Sequence, residues 1–167
     1  MICVLMGVSG AGKTTLGVLL AKKIGAEFAD ADDYHPAANK QKMASGHPLN
    51  DEDRKSWLET LNGVLKHWFD ERASGVMACS ALKQRYRATL AAGMPEGAVV
   101  FCMIEVPEAV LQQRLAERRH EFMNPALLRS QLETLEVPEG QLTVHNEGPP
   151  EAVVEEILRK VGEATRF

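Results

Sequence analysis

The sequence lacks paired cysteines. Its three, Cys3, Cys79 and Cys102, each sit inside a short apolar run and none belongs to a CxxC pair. That excludes a disulfide framework and a zinc site, and reads as reduced core thiols of a cytoplasmic protein. A surplus of positive charge is also missing: the net charge is -4, so there is no sequence-wide footprint for nucleic acid. No long hydrophobic run is present at the start. Ile2–Met6 is too short to span a bilayer and has no basic leader or cleavage site, so neither an export signal nor a membrane partner is expected. Repeats, low-complexity tracts and linkers are absent too, and 167 residues fit one domain spanning 1–167. With 45% apolar and 25% charged residues, the composition is that of a soluble globular protein.

What is present is alternation. Short apolar runs at Ile2–Met6, Glu27–Asp30, Val76–Cys79, Val99–Ile104 and Leu142–Val144 are separated by segments of helical period. This predicts an α/β fold, a parallel sheet covered by helices. Between Asn50 and Glu71, Trp57, Leu58, Leu61, Val64, Leu65, Trp68 and Phe69 recur at three- and four-residue steps, marking one helix face. Asn50 or Asp51 caps that helix. Further helices are expected from Pro107 to about Arg118, from Asn124-Pro125, and from Pro149-Pro150 through about Val161.

Gly7-Val8-Ser9-Gly10-Ala11-Gly12-Lys13-Thr14 follows the first strand directly and opens a helix over Lys13–Ile24. In that context the string is a phosphate-cradling loop. Its glycines let backbone N–H groups converge on a β-phosphate at the positive end of the helix. Lys13 reaches the β- and γ-phosphates, and the Thr14 hydroxyl ligates Mg²⁺. The expected nucleotide contacts are therefore Gly7, Ser9, Gly10, Ala11, Gly12, Lys13, Thr14 and Thr15, with ATP and Mg²⁺ the implied ligands.

An acceptor hydroxyl needs a carboxylate to take or orient its proton. Asp30 and Asp32 follow the second strand, at the sheet end where open α/β folds bind ligands, and their spacing puts both on one side. No acid ends the third strand, which reads Ala78-Cys79-Ser80-Ala81-Leu82-Lys83. Either Asp32 serves both needs or Thr14, phosphates and water hold the metal. This points away from ATPase motors and toward compact metabolite kinases. Arg54, Lys83, Arg85 and Arg87 form a second group of cations suited to a substrate carboxylate. His35 fits a hydrogen bond to a polyhydroxy substrate, or a structural bond to the loop, better than a metal. Arg114 and Arg118 share one helix face that runs into a polar lid, at about 118–129, where a closing arginine would neutralise moving charge.

Four blocks carry a resemblance: GVSGAGKTT at 7–15, DADDYHPAANKQKMASGHPLNDEDRKSWL at 30–58, CSALKQRYRATL at 79–90 and LLRSQLETLEVP at 127–138. The chain resembles gluconokinases of the P-loop, shikimate-kinase-like type. The resemblance implies a three-layer sandwich around a five-stranded parallel sheet of order 2-3-1-4-5 with a small lid. It also implies transfer of the ATP γ-phosphoryl to the 6-hydroxyl of D-gluconate, and members are often homodimers. By the same resemblance Lys13, Asp32 and Arg118 carry the chemistry, Asp32 meets the acceptor hydroxyl, Arg54, Lys83 and Arg87 are the substrate cations, and Arg114 and Arg118 face the nucleotide. One departure falls in the lid: His120-Glu121-Phe122-Met123 stands where the family usually has Gly-His-Phe-Met or a similar run. Two other readings stay open on the residues alone. One is a kinase of another small acidic or polyhydroxy metabolite such as shikimate, and the other a non-catalytic ATP sensor.

Overall fold

The computed structural model describes residues 1–117 and 125–165. Five strands, β1 (Ile2–Met6), β2 (Glu27–Asp30), β3 (Gly75–Ala78), β4 (Val99–Glu105) and β5 (Thr143–His145), form one parallel sheet in the order β2-β3-β1-β4-β5. Every residue of central β1 is buried, as a parallel strand covered on both faces requires. Helices α1 (Lys13–Ile24) and α7 (Pro150–Ala164) pack together on one face. Helices α3 (Asp51–Asp70) and α4 (Gln84–Ala91) pack together, with α3 against β1. The expected layered α/β architecture and strand order are present.

The long amphipathic helix begins where its cap predicts. Asn50 Oδ1 accepts from the Asp53 N–H at 2.8 Å and Asp53 Oδ2 accepts from the Asn50 N–H at 2.9 Å, a reciprocal box that settles two orphan donors. Such a cap is worth about 1 kcal/mol. The third strand starts one residue earlier than its apolar run suggests. Gly75 pairs with Ile2 and lies so close beneath Trp68 that a Cβ there would sit 2.1 Å from the indole. Gly75 is thus the residue that lets α3 approach the sheet.

Two helices have no counterpart in the apolar periodicity. Among α2 (Ala37–Ala44) the buried residue is Asn39, and α4 buries Tyr86 and Arg87 beside Leu90. Their inward faces are built partly from polar side chains, so no apolar stripe betrays them. A 3₁₀ turn at Ala31–Tyr34 joins β2 to α2. The remaining helices are α5 (Glu108–Glu117) and α6 (Pro125–Thr134). Arg118, the His120–Met123 departure and Asn124 lie outside the described residues. Among those that are described, no helix is long and apolar enough to cross a membrane. All three cysteines are buried and free. Burial pushes the thiols of Cys3 and Cys79 up to about 12 and raises that of Cys102, so none is nucleophilic at neutral pH.

Candidate active site

The loop between β1 and α1 is gripped from outside. Lys13 Nζ donates to the carbonyls of Gly7 (2.9 Å) and Val8 (2.8 Å). Arg114 Nη1, from α5, donates to the Gly10 carbonyl at 2.7 Å. Asn146 Nδ2, just past β5, donates to the Ala11 carbonyl at 2.8 Å. Gln131 Oε1, from α6, accepts from the Ser9 N–H at 2.8 Å. Gly12 stands at φ +93° with Asn146 against it, and a Cβ there would come within 2.4 Å of the amide nitrogen. The positive end of α1 faces the loop, and Leu16 is the first helical residue whose N–H returns to it, at Gly12 O. A phosphate group suits the first-turn amides, which have no acceptor within the helix.

A cleft of about 420 Å³ opens from this loop. Asp30 and Asp32 line it beside Lys13 and Thr14. Asp30 is occupied twice: its Oδ2 accepts from the Thr14 hydroxyl at 2.7 Å, and its Oδ1 from the Asp32 N–H at 3.0 Å. Asp32 is reached by water in the open cleft yet walled by protein. That enclosure, then repulsion from Asp30, raises its pKa, while the Lys13 ammonium opposes the rise. Enclosure likewise lowers the pKa of Lys13, against the pull of Asp32. An acid raised and an ammonium lowered side by side form a pair suited to moving a proton and following a charge.

His35 forms the next wall. Its ring stacks on Trp57 at 4.1 Å and 13°, and the Trp57 indole N–H donates to Ala31 O at 2.7 Å. Asn39 Nδ2 donates to the Asp53 carbonyl at 2.8 Å and faces His35 Nδ1 at 3.3 Å. The carbonyl can only accept, so the Asn39 nitrogen is identified and His35 Nδ1 is the acceptor. The imidazole proton therefore sits on Nε2, which points toward Asp32 Oδ1 at 3.9 Å. Burial, with Arg54 and Lys40 nearby, brings the His35 pKa from 6.5 to about 4, so the ring is neutral at pH 7.

A stability change follows with a definite sign. The unfolded chain takes up this proton near pH 6.5 and the folded chain only near 4, so stability is complete above 6.5 and falls as pH drops between the two values. The loss is on the order of 3 kcal/mol. Denaturant unfolding from pH 7 to 4 should show this slope in the parent and a reduced slope in His35→Gln; equal slopes would contradict it.

Of the expected substrate cations, Arg54 lines the cleft and Lys83 and Arg87 do not. Lys83 pairs with Asp51 at 3.5 Å. Arg87 is 3% exposed, donating to Ala81 O at 2.6 Å, to Glu136 O at 2.8 Å and to the Gln84 side chain. It clamps the turn after β3, where Ala81 takes φ +44°, to the segment after α6. Lys40, Trp57 and Gln131 line the cleft as well, while Asn39 backs His35 and Asn146 backs the loop, and no motif singles out any of the five. Gln131 lies in the fourth resembling block. Asn146 follows the carboxyl end of a strand, a position that alone would have flagged it.

The sequence profile of the shikimate kinase family matches residues 9–162. The gluconokinase of Gluconobacter oxydans is 41% identical over a stretch covering 93% of this chain and 88% of its own. The chain belongs to the gluconokinase branch of the shikimate kinase family. A solved gluconokinase from Sinorhizobium meliloti is similar throughout, with a TM-score of 0.86 at 36% identity over 98% of this chain and 93% of that one. The shikimate kinase of Aquifex aeolicus, at 22% identity and TM-score 0.56 over the full length of both chains, shares the fold. In this family setting the loop, the Asp30/Asp32 pair and Arg54 belong to a kinase and line one cleft.

Proposed function

We propose that this chain transfers the γ-phosphoryl group of ATP to the 6-hydroxyl of D-gluconate, giving 6-phospho-D-gluconate and ADP. The observation that carries the reading is the cleft's combined chemistry: a phosphate loop with Lys13 and Asp32, and the Arg54 guanidinium and His35 lining the same space. A sugar acid carries the matching groups, a primary hydroxyl and a carboxylate. Asp32 takes the hydroxyl proton as that oxygen bonds to the γ-phosphorus, the bond from phosphorus to the β-bridging oxygen breaks, and ADP departs. Lys13 leaves its carbonyls in the loop and follows the charge onto the leaving oxygen. The amides of Gly10 and of Gly12 to Thr15 hold the polyphosphate, the Ser9 N–H being taken by Gln131, and Arg114 holds the loop.

The Thr14 hydroxyl and the Asp30 carboxylate are hard oxygen donors 2.7 Å apart, which fits Mg²⁺ and supplies the acid missing from β3. When bound, the ion neutralises phosphate charge. Arg118 and the lid over 118–129 remain assigned by resemblance, as the lid's first seven residues lie outside the described ones and the rest open α6. Buried thiols suit a reducing cytoplasm. Shikimate is the lesser reading, because a solved shikimate kinase is 22% identical to this chain while a gluconokinase is 41% identical over 93% of it. A coupled ADP-release assay should rise with gluconate and stay low with shikimate and nucleoside monophosphates. The reverse ranking would overturn the assignment.

A further inference from the structure

Three cations surround one tyrosine ring. Arg54 Cζ lies 5.3 Å from the Tyr86 centroid, and Lys83 Nζ and Arg85 Cζ each lie 5.7 Å from it. One carboxylate, Asp51, serves the group. It pairs with Arg85 and Lys83 and accepts a hydrogen bond from the Tyr86 hydroxyl, and that hydrogen bond is the foremost cause of its lowered pKa. Arg54 is the member of the three that forms no ion pair among the described residues, and the one that reaches the cleft.

The Tyr86 hydroxyl stands between Arg54 and Asp51. While donating to Asp51, it accepts from Arg54 Nη1 at 3.2 Å, and the other Nη1 hydrogen goes to Leu49 O at 2.6 Å. With Nη1 used on both sides, the plane of the guanidinium is fixed. Nε and Nη2, which hold no hydrogen bond among the described residues, are left as a parallel pair of donors, the fork that a carboxylate fits.

We infer that Tyr86 is a positioning residue for substrate selection: its buried hydroxyl keeps Arg54 from collapsing onto Asp51 and aims the free guanidinium edge at the carboxylate of the sugar acid. The inference rests on the gluconate reading above. The ring is 4% exposed and keeps its packing when the hydroxyl alone is removed. Without the hydroxyl, Nη1 loses an acceptor, Asp51 loses a donor, and the shortest route to satisfy both is an Arg54–Asp51 ion pair drawn out of the cleft.

The test is a steady-state double-mutant cycle on the full chain with Tyr86→Phe, Arg54→Ala and the double variant, varying gluconate at saturating ATP. Tyr86→Phe should raise KM for gluconate on the order of ten-fold, the worth of one charge-assisted hydrogen bond, with kcat within about two-fold and KM for ATP unchanged. In the Arg54→Ala background the same change should add nothing. A gluconate KM unmoved by Tyr86→Phe, a fall confined to kcat, or fully additive effects in the double variant would each overturn the inference. Failure of the parent to turn over gluconate at all would instead overturn the functional reading beneath it.

Discussion

Asp32→Asn should lose about 10²–10⁴-fold in kcat while ATP still binds, because the amide keeps the shape and removes the proton acceptor. The parent's acid limb should lie above the ordinary carboxylate value of 3.8, since enclosure and Asp30 raise the pKa of this group. Stability should move the other way. A carboxyl whose folded pKa is raised stabilises the fold below the unfolded value of 3.8, and that contribution is lost as pH climbs through the folded value. Above the folded value the ionised carboxylate no longer adds to stability, asparagine removes no stabilising charge there, and Tm should hold or rise. Rapid-quench turnover, calorimetric ATP binding and thermal melts on one preparation check all three. Preserved turnover would remove Asp32 from the chemistry, and lost ATP binding would make it a nucleotide ligand instead.

Lys13→Ala should cost at least about 10²–10³-fold in kcat/KM for ATP, the usual loss when a preorganised charge at the reacting phosphate is removed. The ammonium is held by two loop carbonyls, Gly7 O and Val8 O, at 2.9 and 2.8 Å, so it is stationed within the loop before any phosphate arrives. Lys13→Arg should not rescue, since a planar guanidinium cannot serve as the same compact point charge. Single-turnover rates with both variants test this, and turnover of Lys13→Ala at the parent's rate would contradict it.

How far the residues announced this structure depends on what they bury. The strands, the phosphate loop and α3 were legible because apolar spacing and cap chemistry coincide there. Helices α2 and α4 were not, since Asn39, Tyr86 and Arg87 turn inward and break the stripe. Asp32, His35 and Arg54 could be nominated from position in the chain, Arg54 because it follows three acids in the first turn of its helix, whereas nothing in the sequence tells that Lys83 and Arg87 have partners of their own. The difference lies in which cation is already satisfied: Arg87 by two carbonyls and Gln84, Lys83 by Asp51. Asn146 meets the loop across 135 residues and Gln131 across 122, contacts that only the sheet order brings together.

The most direct measurement is the position of the phosphate in the product. Phosphorus–proton correlation NMR of a reaction holding ATP, Mg²⁺ and D-gluconate should show phosphorus coupled to the two protons on C6. Phosphate on another carbon, or ATP hydrolysed with gluconate unchanged, would contradict a γ-phosphate facing Asp32 across the sugar acid's primary hydroxyl.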